Sequence, residues 1–194
     1  SLGAKNVKNY GNLKFANSKS KNYLENAYLE KIKNRKIWCA ASTHPSEEKF
    51  CAEVHIEIKK TFNDVLTIII PRHIDRIQKI KKDLLNLNLK VILHSNFEEI
   101  SDETDIILVD SYGETSKFYK ISRAVFLGKS INKSIIANSG QNPIEPSRFG
   151  CEIFHGPNIS NFSEIYDYLN SLGVTKKIVN INEMSQSLVK VFNR

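Results

Sequence analysis

Seven short apolar runs separated by stretches of helical length constrain this chain of 194 residues more than any other feature. The runs are Ile37 to Ala41, Val65 to Ile70, Leu89 to Leu93, Ile106 to Val109, Ala124 to Leu127, Cys151 to Phe154 and Lys177 to Val179. Unbroken apolar runs of about four to six residues are the signature of strands covered on both faces, whereas a sheet with one wet face alternates. Between the runs, Phe50, Val54, Ile58 and Phe62 recur on one helical face, as do Ile77, Ile80 and Leu84. Strands alternating with amphipathic helices predict an α/β fold with a Rossmann-like, doubly wound parallel sheet. A further helix is expected around Tyr23 to Lys33, preceded by a polar linker over residues 1 to about 20. The opening Ser1-Leu2-Gly3-Ala4, without an initiator methionine, reads as an entry in mid-loop.

In such sheets ligands bind beyond the carboxyl ends of the strands, so the residues just past each run matter most. The first run leads into Ser42-Thr43-His44-Pro45-Ser46-Glu47-Glu48. Thr43 or His44 is expected to cap a helix with Pro45 in its first turn, where hydroxyls and free N–H groups suit an anion. After the second comes Pro71-Arg72-His73, in which the Arg72 guanidinium can grip a phosphate with two hydrogen bonds. His73 is a candidate base or metal ligand, without carboxylates or cysteines at supporting spacing. After the fourth comes Asp110-Ser111-Tyr112-Gly113-Glu114, with Gly113 permitting close backbone approach and Glu114 opening a helix. The densest segment is Ser139-Gly140-Gln141-Asn142-Pro143-Ile144-Glu145-Pro146. There Pro143 can open a helix and Glu145, in its first turn, can accept both hydroxyls of a ribose. In the segment from His155 to Phe162, Asn161 is a candidate helix cap.

A formal charge of +7 points to an anionic partner, and most lysines fall on what read as solvated helix faces. The chain has no aromatic-interleaved RNA motif, zinc finger or basic zipper, so nucleic acid is not expected as a partner. Walker A, G-x-S-x-G, H-E-x-x-H and full G-x-G-x-x-G patterns are also missing. Cys39, Cys51 and Cys151 are too far apart for a redox or metal pair and read as buried free thiols in a reducing compartment. No run of about 18 apolar residues occurs, so the chain itself is expected to be soluble.

The order of motifs carries more than any one of them. Gly11-Asn12-Leu13-Lys14-Phe15, Trp38 with Ala40 to His44 and Glu47-Glu48, Pro71-Arg72-His73, Gly113-Glu114, Asn142 to Pro146, and Gly156-Pro157 with Asn161-Phe162 succeed one another in one register. In this the chain closely resembles the carboxyl-terminal half of the 3-deoxy-D-manno-octulosonic acid (Kdo) transferases of Gram-negative lipopolysaccharide biosynthesis. The resemblance implies the second Rossmann-like domain of a GT-B glycosyltransferase, over residues 36–194, with residues 1–35 as interdomain linker and remnant of the first domain. It implies CMP-Kdo as the donor, a lipid A precursor (lipid IVA) as acceptor through the other domain, and the cytoplasmic face of the inner membrane, an anionic surface, as the place of work. The general base would be a glutamate of that other domain, so no catalytic residue, cofactor or metal is assigned here and this half is expected to be inactive alone. By the same resemblance, the cytidine monophosphate contacts fall on Pro71, Arg72, Tyr112, Gly113, Glu114, Asn142, Pro143, Ile144 and Glu145, with Ser42, Thr43 and His44 near the phosphate or the Kdo carboxylate. Tyr112 stands where the family often has Met, Ser139-Gly140 where it has two glycines, and the loop from Lys129 to Asn138 lacks its usual glycine after Gly128. The rival readings are another GT-B nucleotide-sugar transferase or epimerase, and a non-catalytic basic module docking to anionic lipid or nucleic acid.

Overall fold

The computed structural model describes residues 23–131 and 138–194. The expected linker, the Gly11 to Phe15 motif and six residues of the loop after Gly128 lie outside the described residues.

Six of the seven apolar runs become strands and a seventh strand forms beside the last: β1 (Lys36–Thr43), β2 (Val65–Pro71), β3 (Val91–Leu93), β4 (Ile106–Leu108), β5 (Ala124–Leu127), β6 (Glu152–His155) and β7 (Thr175–Lys177). They form one sheet in the order β3-β4-β2-β1-β5-β6-β7, and every adjacent pair is parallel. The helices are α1 (Asn26–Ile32), α2 (Glu47–Lys59), α3 (Ile77–Leu85), α4 (Thr115–Tyr119), α5 (Ile144–Arg148), α6 (Ser163–Ser171) and α7 (Ile181–Phe192).

The unbroken character of the runs has a simple cause: successive side chains enter two different cores. Trp38, Ala40, Ile69, Phe126 and Phe154 face α2, α3 and α7, while Ile37, Cys39, Ala41, Leu66, Ile68, Ile70 and Leu127 face α1, α4 and α6. Each such aliphatic side chain contributes about 1.5–3 kcal/mol on burial. Tyr28 and Ile32 of α1 belong to the second core, so α1 packs on this sheet. The three cysteines are free and buried.

Two expectations shift in detail. The last strand lies at Thr175–Lys177 rather than Lys177 to Val179: it is the sheet's edge, where Lys176 and Lys177 are exposed and only Thr175 is buried. Lysines at an edge discourage pairing with another chain, so apolarity is a poor guide to that strand. The helical face read through Phe62 ends earlier, because α2 stops at Lys59 and Phe62 folds back, its N–H bonded to the Ile58 carbonyl and its ring edge-on to Phe192.

A buried polar pin ties the amino ends of the strands together. His55 is fully buried, with Nδ1 2.8 Å from Thr67 Oγ1 and Nε2 3.3 Å from Asp105 Oδ1. Asp105 also takes Lys59 and the Lys90 N–H, while the Arg35 guanidinium donates to the carbonyls of Asp64, Val65, Ser101 and Thr104. Every charge there has a partner, which is the condition for tolerating buried ions.

Candidate functional site

The chain leaves β1 toward β2 on one side and later returns to place β5 on the other, so the topological switch point lies at the carboxyl end of β1. Open α/β sheets bind ligands at that point. Here β1 ends in a bulge between Ala41 and Thr43 with Ser42 at φ 55°, and Ser46, at φ 78°, caps α2. The helix therefore begins at Glu47, later than a cap at Thr43 or His44 with Pro45 in the first turn would have it. Two left-handed residues in five rotate the chain so that Thr43 turns inward and His44 sits over the strand ends.

Glu47 is the principal residue that its sequence position hides, since it reads there as an ordinary helix-start acid. It is fully buried, and its carboxylate accepts N–H groups from both sides of the switch point: His44 at 2.8 Å, Lys129 at 2.7 Å, Ser130 at 2.9 Å and Ile131 at 3.1 Å. Burial pushes its pKa up from the ordinary glutamate value, and the backbone donors pull the other way. The strand-to-loop passage at Gly128 has no room for a side chain, since a Cβ would lie 2.4 Å from the Ser42 carbonyl oxygen and 2.7 Å from Glu47 Oε2. Glu48, next in sequence, takes the Thr43 hydroxyl at 3.0 Å and both Arg76 amino groups at 3.0 Å. A Glu-Glu pair after a strand, with a glycine at the end of the neighbouring strand, was the available signal.

Above this clamp the surface is cationic. Pro71 ends β2 buried, and Arg72 and His73 are exposed beyond it. The Arg72 N–H donates to the Thr43 carbonyl at 3.0 Å, which fixes its backbone, and its guanidinium has no acidic partner among the described residues. The rings of His44 and His73 meet edge to face at 5.7 Å. Burial, followed by His73, Lys129, Arg76 and Arg72, pushes the His44 imidazole down to about 4. Its Nε2 is buried without a hydrogen-bond partner.

The β4 and β5 loops build the other half. Tyr112 is 62 % exposed, Gly113 turns with φ 83°, and Glu114 stands just before α4, paired with Lys117 at 2.7 Å and 3.7 Å from His94. Asn142 Oδ1 accepts the Ile144 N–H at 3.0 Å, Pro143 is the cap residue, and α5 starts at Ile144, one position later than a helix opened by Pro143. Glu145 lies in the first turn, and one of its oxygens accepts the Ser116 hydroxyl of α4. Glu145 is thus oriented by a neighbour that sequence spacing could not reveal. Of the expected sites, Thr43 lies against Pro71 and Arg72, and Glu145 is joined to α4 through Ser116.

The β6 loop is architecture. His155 Nδ1 lies 2.7 Å from the Gly156 carbonyl and its ring stacks on Tyr166 at 4.4 Å, while Ser130 receives the Gly156 N–H at 2.9 Å on its hydroxyl. Asn161 is not the cap of α6; that position is Phe162, and the Asn161 N–H donates to the Ser139 carbonyl at 3.0 Å. A cavity of about 350 Å³ opens between α2 and α3, lined by Ser46, Lys49, Arg76, Lys79, Ile80 and Asp83. It runs along a helix face rather than over the strand ends, so the switch-point crevice remains the candidate site. Among the described residues no group of three or more His, Cys, Asp or Glu side chains is placed to hold a metal, and no helix is long and apolar enough to cross a membrane.

No family model matches the chain. It is 33% identical over 166 residues, 84% of the chain, to a protein of Rickettsia bellii named 3-deoxy-D-manno-octulosonic acid transferase, covering 38% of that protein. A Haemophilus influenzae protein of the same name is 33% identical over 70% of the chain, and one of Aquifex aeolicus is 27% identical over 99%. The chain spans about a third to a half of the length of these relatives. In fold it matches the C-terminal CMP-Kdo binding domain of WaaA from Acinetobacter baumannii with a TM-score of 0.77 and 24% identity, covering 86% of the chain and 90% of that domain. A putative UDP-N-acetylglucosamine 2-epimerase of Listeria monocytogenes shares the fold at TM-score 0.56 and 13% identity. The chain is therefore a homologue of the 3-deoxy-D-manno-octulosonic acid transferases, enzymes of the glycosyltransferase class, and folds as the carboxyl-terminal Rossmann-like domain of a GT-B protein.

Proposed function

We propose that this chain is the donor half of a Kdo transferase, binding CMP-Kdo over the carboxyl ends of β1, β2, β4 and β5. The observation that carries the reading is Glu145, held by Ser116 in the first turn of α5 beside Asn142, where a carboxylate suits the paired hydroxyls of a ribose. Residues 36–194 form the donor domain and residues 1–35 lead in from a first domain, with α1 docked on the sheet. Pro71, Tyr112, Gly113, Glu114 and Ile144 complete the nucleotide's surroundings, and Thr43 and Ser42 shape the turn beneath its phosphate.

In the reaction a hydroxyl of the lipid A precursor (lipid IVA) attacks the anomeric carbon of Kdo and CMP departs. Negative charge gathers on the leaving phosphate, so Arg72 stabilises the transition state more than the ground state. The base that takes the hydroxyl proton belongs to the first domain, which also meets the acceptor at the cytoplasmic face of the inner membrane. This half alone is inactive.

Calorimetric titration of the 194-residue chain with CMP and UMP, and of Arg72→Ala and Glu145→Ala, tests the reading. Saturable CMP binding, insensitive to chelator and lost in both variants, is expected. UMP binding as tightly as CMP would assign the site to a uridine nucleotide sugar. Binding that collapses with salt and ignores Glu145→Ala would assign a basic docking surface.

A further inference from the structure

Helix α1 does more than cover the sheet, because it reaches the loop that carries Glu114. Tyr28 of α1 is buried, and its hydroxyl lies 3.2 Å from Nδ1 of His94, the first residue past β3. The other ring nitrogen, Nε2, faces Glu114 Oε2 at 3.7 Å, and both side chains are mostly buried. Packing fixes the imidazole between them. Phe118 of α4 meets it edge-on at 5.1 Å, Tyr28 tilts against it at 5.3 Å, and Phe97 stacks on Tyr28 at 5.2 Å. Asp110 is engaged by the Ser95 N–H at 3.1 Å and hydroxyl at 2.6 Å. Glu114 Oε2 is ion-paired with Lys117 at 2.7 Å and, that pair apart, makes no hydrogen bond among the described residues.

Which nitrogen of His94 carries the proton follows from these neighbours. A neutral imidazole has one N–H, and the bond made at one nitrogen decides the state of the other. An Nδ1–H donated to Tyr28 would turn the Nε2 lone pair toward a carboxylate, which repels it. A Tyr28 hydroxyl donating to Nδ1 instead leaves Nε2–H directed at that carboxylate, which attracts it. Burial raises the Tyr28 pKa and lowers that of His94, so both groups are in these neutral forms near pH 7. At 3.7 Å the attraction is electrostatic and not a hydrogen bond, so it orients the carboxylate without occupying its acceptor sites.

We propose that Tyr28 and His94 are positioning residues of the donor site: Tyr28 fixes the His94 tautomer, and the Nε2–H so presented aims the Glu114 carboxylate. The inference rests on the donor reading, in which Glu114 borders the nucleotide. It extends that reading to α1, which lies in the lead-in from the first domain, so the donor site senses how the lead-in sits on the sheet.

Tyr28→Phe is the sharpest variant, since it keeps the ring and its packing and removes only the hydroxyl. Nitrogen NMR of the chain's five histidines, with His94 assigned by the loss of its signals in His94→Gln, reads the tautomer. The wild type is expected to show Nε2–H, and Tyr28→Phe a mixture with Nδ1–H. Calorimetric titration should show CMP binding about three- to tenfold weaker in Tyr28→Phe. In a Glu114→Gln background the same change should shift CMP affinity by less than about twofold, which closes a double-mutant cycle. His94→Gln, whose amide N–H can stand in for Nε2–H, should bind CMP more tightly than His94→Leu. A merely structural role would weaken binding equally in both backgrounds and lower the urea midpoint with it. That result overturns the positioning role, as does an Nδ1–H wild type or a Tyr28→Phe variant with unchanged CMP affinity, and all three leave the donor reading standing. A wild type that binds neither CMP nor UMP removes the donor reading, and the positioning role falls with it.

Discussion

Replacing Glu47 by alanine removes the acceptor for four backbone N–H groups, those of His44, Lys129, Ser130 and Ile131, at 2.7 to 3.1 Å. Each bond is worth about 1 kcal/mol net, and an orphaned buried donor costs about 1–3 kcal/mol. Water entering the vacated space offsets part of this, so the expected loss is about 2–4 kcal/mol against a total stability of about 5–15 kcal/mol. Trp38 is the chain's one tryptophan and is fully buried, so its fluorescence reports urea unfolding directly. At a slope of about 2 kcal/mol per molar urea, the midpoint should fall by about 1–2 M. Glu47→Gln keeps one oxygen and turns an NH2 toward the other two donors, so it should fall between wild type and alanine. A midpoint lowered by less than about 0.3 M in the alanine variant, at unchanged slope, would refute the clamp: the N–H groups would then be finding water without penalty.

Gly128→Ala forces a Cβ to within 2.4 Å of the Ser42 carbonyl oxygen, a backbone atom that cannot swing aside, and should cost about 3 kcal/mol or more in the same urea assay. Ser116→Ala removes the hydroxyl that holds Glu145; CMP affinity should fall several-fold for a loss of about 1 kcal/mol, and tighter binding would show that the serine competes with the ribose. Acid should destabilise the fold below pH 6.5. The buried His55 is held below the ordinary histidine value of 6.5, first by desolvation, so the unfolded chain takes its proton first and stability declines as pH drops through that value. Asp105 adds a second loss further down: burial raises it, but its bonds to His55 and Lys59 outweigh burial and leave it below the ordinary 3.8. Unfolding free energies from urea titrations between pH 7.5 and 5 should therefore fall by up to about 1.4 kcal/mol per pH unit per histidine, and an unchanged stability would refute the neutral buried His55.

The sheet was legible because its physics is local. Residues 37–41 and 65–70 must serve two cores at once, so nearly every position is apolar and the period-two pattern disappears. That argument fails at β7, whose outer faces meet water and carry Lys176 and Lys177. The site was legible as positions: Arg72, Glu145 and His44 all stand at strand ends or helix starts. Its wiring was not, because Glu47 meets Ser130 across 83 positions and Ser116 meets Glu145 across 29, and no spacing rule reaches that far. The two left-handed serines, Ser42 and Ser46, were equally hidden, since nothing in a serine announces positive φ.

The positions that the resemblance singled out differ in how tightly the fold constrains them. Tyr112 is 62 % exposed, so a change there alters the surface beside the strand ends and not what the fold holds. Lys129 sits at φ 55°, a backbone that costs a non-glycine residue roughly 1 kcal/mol or more. Its N–H is one of the four on Glu47, and so the clamp holds the strained residue in place. Its cation faces His44. Gly128 had no such freedom, since its neighbours are backbone and the clamp carboxylate itself. Gly128 is thus fixed by packing, while the next position carries a charge to the mouth of the candidate site at the expense of backbone strain.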